Sequence, residues 1–136
     1  MKPAFADTGY DTALLNPEDD LHSEARVLAM EVGSRRIVTT DLVLIEYLND
    51  FSGRGSEFRR MAVELVDATR KDPKVEIVPL SGALFEMSYQ LYRDRTDKDW
   101  SLTDCASFLV MKERGLIDVL AYDVHFEQAG FKALLR

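Results

Sequence analysis

Pro3-Ala4-Phe5-Ala6-Asp7-Thr8-Gly9 decides the fold class. A short apolar segment that runs straight into a polar, glycine-containing turn has the pattern of a strand buried on both faces, as in a parallel sheet. The pattern recurs along the chain. Ile37-Val38-Thr39, Val75-Glu76-Ile77-Val78-Pro79 and Val119-Leu120-Ala121-Tyr122 read as further short strands, and Phe131 to Leu134 as a last edge strand. Helical stretches separate them. Tyr10 to Leu15 is stopped by Asn16-Pro17. His22 to Val32 puts Ala25, Leu28, Ala29 and Val32 on one stripe, with Gly33 as its C-cap. Thr40 or Asp41 can cap a helix over Leu42 to Leu48, after which Asn49 to Ser56 reads as a loop. Glu57 to Arg70 is amphipathic, with Phe58, Met61, Ala62, Leu65, Val66 and Thr69 on one face. Ser81 opens a helix to about Arg93 that is expected to bury Leu84, Phe85, Leu91 and Tyr92. Ser101 and Asp104 have the spacing of a capping box for a helix that Gly115 ends, and His125 to Gly130 forms a short last helix. Strands alternating with helices predict a three-layer α/β/α fold around a mostly parallel sheet, a single domain over residues 1–136.

Composition narrows the function classes. The formal net charge of −7 argues against binding nucleic acid by bulk charge, although a local basic rim remains compatible with it. The single Cys105 sits in an apolar run as a core side chain, and one thiol forms no internal disulfide. No apolar run reaches the roughly 18 residues of a membrane span, and the N-terminus lacks the pattern of a signal peptide. A cytoplasmic protein is the expectation.

Four acids stand apart from those on solvated faces. Asp7 and Asp123 follow directly on apolar strands, so both are expected at the carboxyl edge of the sheet, where open parallel sheets bind ligands. Glu46 and Asp104 are lone charges in helices otherwise apolar nearly all round. Each has a local structural reading: an Asx turn for Asp7, an arginine partner for Glu46, the capping box for Asp104, an N-cap for Asp123. The positions of all four acids nevertheless imply the same sheet edge, which makes four purely structural roles at once the weaker reading. Like charges about 4 Å apart cost about 4 kcal/mol per pair at an effective dielectric near 20. Protonation or a bound divalent cation must offset that, and an all-oxygen acidic set suits Mg²⁺ or Mn²⁺ better than Zn²⁺. A cation so held beside a phosphate is an arrangement for metal-assisted phosphodiester hydrolysis.

Asp7-Thr8-Gly9, Glu46, Ser101-Leu102-Thr103-Asp104-Cys105 and the run from Tyr122-Asp123 through His125-Phe126 to Phe131 resemble the PIN domain family. More narrowly, they resemble its VapC-like ribonuclease toxins, in order and over essentially the whole chain. The resemblance implies Mg²⁺- or Mn²⁺-dependent endoribonuclease activity, a homodimer, and a small VapB-like antitoxin whose C-terminal segment occludes the site. It places the family's acidic quartet on Asp7, Glu46, Asp104 and Asp123 as catalytic and metal-binding residues. Asp99 is a possible further acid, with Thr8 and Ser101 as orienters of the carboxylates, while His125 is expected to help begin the last helix. Arg54 and Arg59, with Arg60, and Arg93, Arg95 and Lys98 form two clusters able to serve as an RNA rim. Asp11 departs from the family's apolar or aromatic residue at that place. Two other readings compete: a receiver- or phosphatase-like domain with Asp7 as nucleophile, and an inactive PIN-like module that only binds RNA or protein. The first wants an Asp-x-Asp spacing that Asp7-Thr8-Gly9 lacks.

Overall fold

The structure is a computed structural model that describes residues 1–135; Arg136, the end of the expected domain, lies outside them. Five strands form one sheet: β1 (Ala4–Ala6), β2 (Ile37–Thr40), β3 (Val75–Val78), β4 (Asp118–Leu120) and β5 (Lys132–Ala133). Their order is β3-β2-β1-β4-β5, and every neighbouring pair is parallel. Seven helices connect them: α1 (Thr8–Leu15), α2 (His22–Val32), α3 (Asp41–Phe51), α4 (Ser56–Lys71), α5 (Gly82–Asp94), α6 (Leu102–Arg114) and α7 (Val124–Gln128). The expected α/β/α layering and parallel sheet are therefore present.

Alternation along the strands divides the core. Phe5, Val38 and Val119 face α6 and α7, meeting Cys105, Phe108, Met111 and Phe126. Ala4, Ala6, Ile37 and Leu120 face α1 and α2, meeting Tyr10, Ala13, Ala25 and Leu28. On this second face β1 contributes only alanines, with Ile37 and Leu120 on the flanking strands. Phe126 anchors α7 by packing between Phe5 and Phe108, at centroid distances of 6.5 and 5.1 Å. A fully buried Phe contributes about 2–3 kcal/mol by area, a large share of what holds a five-residue helix in place. Cys105 is fully buried, as expected of a core side chain.

Two expectations about helices are corrected. The loop set at Asn49 to Ser56 begins later, because α3 continues to Phe51. Phe51 is fully buried, 4.7 Å from the Tyr47 ring and 5.4 Å from Phe58, so packing extends the helix through the poor helix formers Asn49 and Asp50. In α5 the stripe facing inward is Leu84, Ser88 and Leu91. Phe85 and Tyr92 are 42% and 52% exposed, because α5 packs mainly on α6 and presents one narrow face to it.

The amino-terminal edge of the sheet is tied by polar contacts. Arg35 donates to the Lys2 carbonyl and pairs with Asp118 at 2.8 Å, and Lys2 donates to the Gly115 carbonyl. Among the described residues no helix is long and apolar enough to cross a membrane.

Asp11 stands apart from the other acids. It lies in α1 on the side away from the carboxyl edge, lining a cavity of about 210 Å³ between α1, α2, α4 and the sheet. Burial pushes its carboxyl up to about 7. The nearby Tyr47 hydroxyl is buried with no hydrogen-bond partner among the described residues; burial first, and the Asp11 charge second, raise its pKa. In the unfolded chain the Asp11 carboxyl titrates near 3.9. Since the folded value is the higher one, its charge costs nothing below about pH 4, an increasing amount between, and the full penalty above about pH 7. Asp11→Asn is expected to stabilise the chain by on the order of 2 kcal/mol near pH 8 and by little near pH 4. Thermal denaturation at both pH values checks this; equal melting shifts at the two would contradict it.

Candidate active site

Chain order against sheet order places the site. From β1 the chain moves outward to β2 and β3, then returns to β4 on the other side of β1. The carboxyl ends of β1 and β4 therefore flank the topological switch point, the place where open α/β sheets leave a crevice. Asp7 leaves β1 and donates its backbone N–H to Leu120 O across that junction at 3.2 Å. Asp123 comes shortly after β4 and caps α7 by accepting from the His125 N–H at 2.9 Å. Thr40 caps α3, whose second turn presents Glu46, and Ser101 caps α6, whose third residue is Asp104.

All four acids line one cleft of about 470 Å³. Thr8, Ser101, Asp99 and Arg54 line it too, with Asp19, Asp50, Tyr122 and His125. The other proposed RNA contacts do not. Arg59 donates to the Ser52 carbonyl, Arg95 pairs with Asp97, Arg93 is exposed on α5, and Lys98 borders a neighbouring pocket. Arg54 is steered to the cleft by stacking: its guanidinium lies 5.1 Å from the Phe51 centroid and 5.7 Å from that of Phe58.

The capping box forms as expected. Ser101 Oγ accepts from the Asp104 N–H at 3.0 Å, and Asp104 Oδ2 accepts from the Ser101 N–H at 3.1 Å. His125 Nδ1 lies 3.0 Å from the same Oδ2 and 3.4 Å from Asp123 Oδ1, so the Nδ1–H tautomer donates to the acids. His125 thus begins α7, as expected, and also ties Asp104 to Asp123. That second contact joins residues 21 apart in sequence and had no local signal. Thr103, also not anticipated, adds its hydroxyl to that of Thr8 beside the Glu46 carboxylate.

The electrostatics are severe. Asp7 and Asp104 are 6% and 7% exposed. Burial, and then the Asp104 charge, drive the Asp7 carboxyl well above the usual carboxylate range; Glu46 and Asp123 add to this, against one Thr8 N–H that lowers it. Burial also raises Glu46, and the Thr103 and Thr8 hydroxyls oppose that rise. Seven carboxylates and one arginine line the cleft.

This donor set fits a hard divalent cation. One oxygen of Asp104 and one of Asp123 are committed to protein hydrogen bonds, which fixes each carboxylate. Asp104 Oδ1 and Asp123 Oδ2 have no hydrogen-bond partner among the described residues and remain to act as ligands. Ligand atoms of Asp104, Asp123 and His125 lie within 4.8 Å of one another. Carboxylate oxygens held in this way are the ligands Mg²⁺ and similar ions take, and a cation here would offset the Asp104 and Asp123 charges that add to the effect of burial on Asp7.

Comparison with known proteins agrees with this geometry. The chain is 27% identical over 130 residues to the 23S rRNA-specific endonuclease VapC20 of Mycobacterium tuberculosis, covering 93% of this chain and 94% of that protein. The crystal structure of the same VapC20, described as a sarcin-ricin loop cleaving toxin, superposes with a TM-score of 0.87, covering 96% of this chain and 98% of that one. FitAcB from Neisseria gonorrhoeae shares the fold at a TM-score of 0.67 and 14% identity, covering 96% and 95%. The PIN domain model matches residues 4–132, the stretch that holds all five strands but the last residue of β5 and all four converging acids: the chain belongs to the PIN domain family.

Proposed function

We propose that this chain is a divalent-metal-dependent endoribonuclease, a single PIN-like nuclease domain over residues 1–136 that acts as the toxin of a toxin–antitoxin pair. The observation that carries the reading is the meeting of Asp7, Glu46, Asp104 and Asp123 in one cleft at the switch point. The likeness to VapC20 over nearly the full length of both chains supports RNA as the substrate, with the sarcin-ricin loop the first RNA to test. A small antitoxin and a homodimer complete the proposal, acting in the cytoplasm.

In this reading Asp104 and Asp123 hold Mg²⁺ or Mn²⁺ directly, with Asp7 and Glu46 completing the charge around it. The ion supplies Lewis-acid charge at the phosphate and lowers the pKa of a bound water. The chain's own residues do the positioning. Ser101 and His125 fix the plane of Asp104, and the α7 backbone fixes Asp123. Thr8 and Thr103 aim Glu46. Arg54, braced on two phenylalanine rings, offers a phosphate contact at the mouth of the cleft, with Arg59, Arg93, Arg95 and Lys98 further out. Asp99, exposed on the rim, is an added acid facing solvent. The phosphatase-like reading needs an accessible, ionised Asp7, whereas Asp7 is 6% exposed and its pKa is raised.

Asp104→Asn keeps the capping contacts and removes the charge. It is expected to lower the cleavage rate on a sarcin-ricin oligonucleotide by at least ~100-fold with Mg²⁺ or Mn²⁺ present, the scale for removing one major charge-stabilising group. Cleavage at the wild-type rate would sink the proposed mechanism. Titrating Mn²⁺ into the metal-free protein is expected to raise its melting temperature in proportion to ln(1 + [Mn²⁺]/Kd), and Asp104→Asn to reduce that shift. A melting temperature that ignores Mn²⁺ would count against the metal site.

A further inference from the structure

Beside the acidic cleft, and sharing Asp99 and Ser101 with it, lies a second pocket of about 490 Å³. That is within the ~300–1,000 Å³ typical of small-ligand sites. Three of its lining side chains, Tyr92, Arg95 and Trp100, end in planar groups. Trp100 is buried, donates Nε1–H to Gln128 at 3.0 Å and packs edge-on against Phe108, so its indole is a fixed plate. The Arg95 guanidinium lies over that plate, 4.8 Å from the ring centroid. Asp97 grips it with two bonds of 3.0 Å each, which holds the guanidinium plane and offsets its charge. Arg95 nevertheless keeps 40% of its side chain exposed. Tyr92, turned outward on α5 and 52% exposed, lines the same pocket, and Lys98 makes no ion pair among the described residues.

The geometry points to a base-stacking subsite for a nucleotide next to the scissile phosphate of single-stranded RNA, with Tyr92 and the Arg95–Trp100 plate as its planes and Lys98 as its phosphate contact. This deepens the ribonuclease reading and rests on it. Unpaired bases stack on aromatic rings and on guanidinium planes. Continuity with the acidic cleft through Asp99 and Ser101 puts a base bound here one short step along the chain from a phosphate held there. With a net charge of −7 the protein has no long-range attraction for RNA, so contact-range stacking must supply much of the affinity. The Asp97 grip takes up the in-plane edge of the guanidinium that would pair with a peptide carboxylate and leaves its face for stacking.

The test measures binding and turnover separately. In an Asp104→Asn background, anisotropy with fluorescein-labelled oligouridine reads affinity without cleavage. Tyr92→Ala is expected to weaken binding about 10-fold, the scale for losing one stacked base, and Tyr92→Phe to stay within about 2-fold of its parent. Arg95→Lys, which keeps charge and loses the plane, is expected to weaken binding as well. In the active chain Tyr92→Ala raises KM and leaves kcat unchanged. Unchanged affinity in Tyr92→Ala overturns the subsite, and so does an equal loss in Tyr92→Phe; a pocket used only by a protein partner would give the first of these. Either result leaves Asp104-dependent cleavage standing, whereas failure of the ribonuclease reading appears as cleavage that survives Asp104→Asn.

Discussion

The structure is organised around carboxylates crowded where water is scarce. Asp7 sits at 6% exposure with Asp104, Glu46 and Asp123 all near enough to raise its pKa. Burial is the largest contribution to that rise, and the neighbouring charges add to it. A fold tolerates that only if its scaffold is stiff enough to keep the acids from swinging apart. Here the stiffness comes from three sources: a five-stranded parallel sheet, side-chain caps at the starts of α3 and α6, and Phe126 locked between Phe5 and Phe108. The α6 cap contributes twice, since the helix N-terminus it closes carries partial positive charge where Asp104 sits.

Much of this was legible in the residues. Apolar strands ending in Asp7 and shortly before Asp123 announce the carboxyl edge, and the Ser101–Asp104 spacing announces a capping box. Both are local signals, set by a period of two or by a separation of three. What escaped reading was non-local. His125 reaches Asp104 across 21 residues, and nothing near His125 in sequence marks that contact. The continuation of α3 through Asn49 and Asp50 depends on Phe51 meeting Phe58 on a different helix. The outward face of α5 is not legible in the sequence, because periodicity gives the phase of an apolar stripe and not its width. Phe85 and Tyr92 lie beside the stripe, but α6 covers only the part occupied by Leu84, Ser88 and Leu91.

Asp11 shows how one acid can be unlike its neighbours in sequence. It is one helical turn from Asp7 yet faces the opposite layer, where its carboxyl rises to about 7 from burial alone. The molecule therefore carries two kinds of strained acid. Those in the cleft add their charges to one another, and Asp104 and Asp123 lie close enough to share a cation. Among the described residues Asp11 pairs with no cation, and a proton relieves it.

The division of labour between the two oxygens of Asp104 bears on descent. Oδ2 belongs to the helix start and to His125, while Oδ1 is left over. An amide at this position still has an oxygen for the Ser101 N–H, and the Ser101 hydroxyl still accepts from the backbone of residue 104. A lineage can therefore shed the charge at this position in one step while inheriting the shape around it. A copy without the charge would keep the start of α6, and with it the surfaces that this helix holds in place.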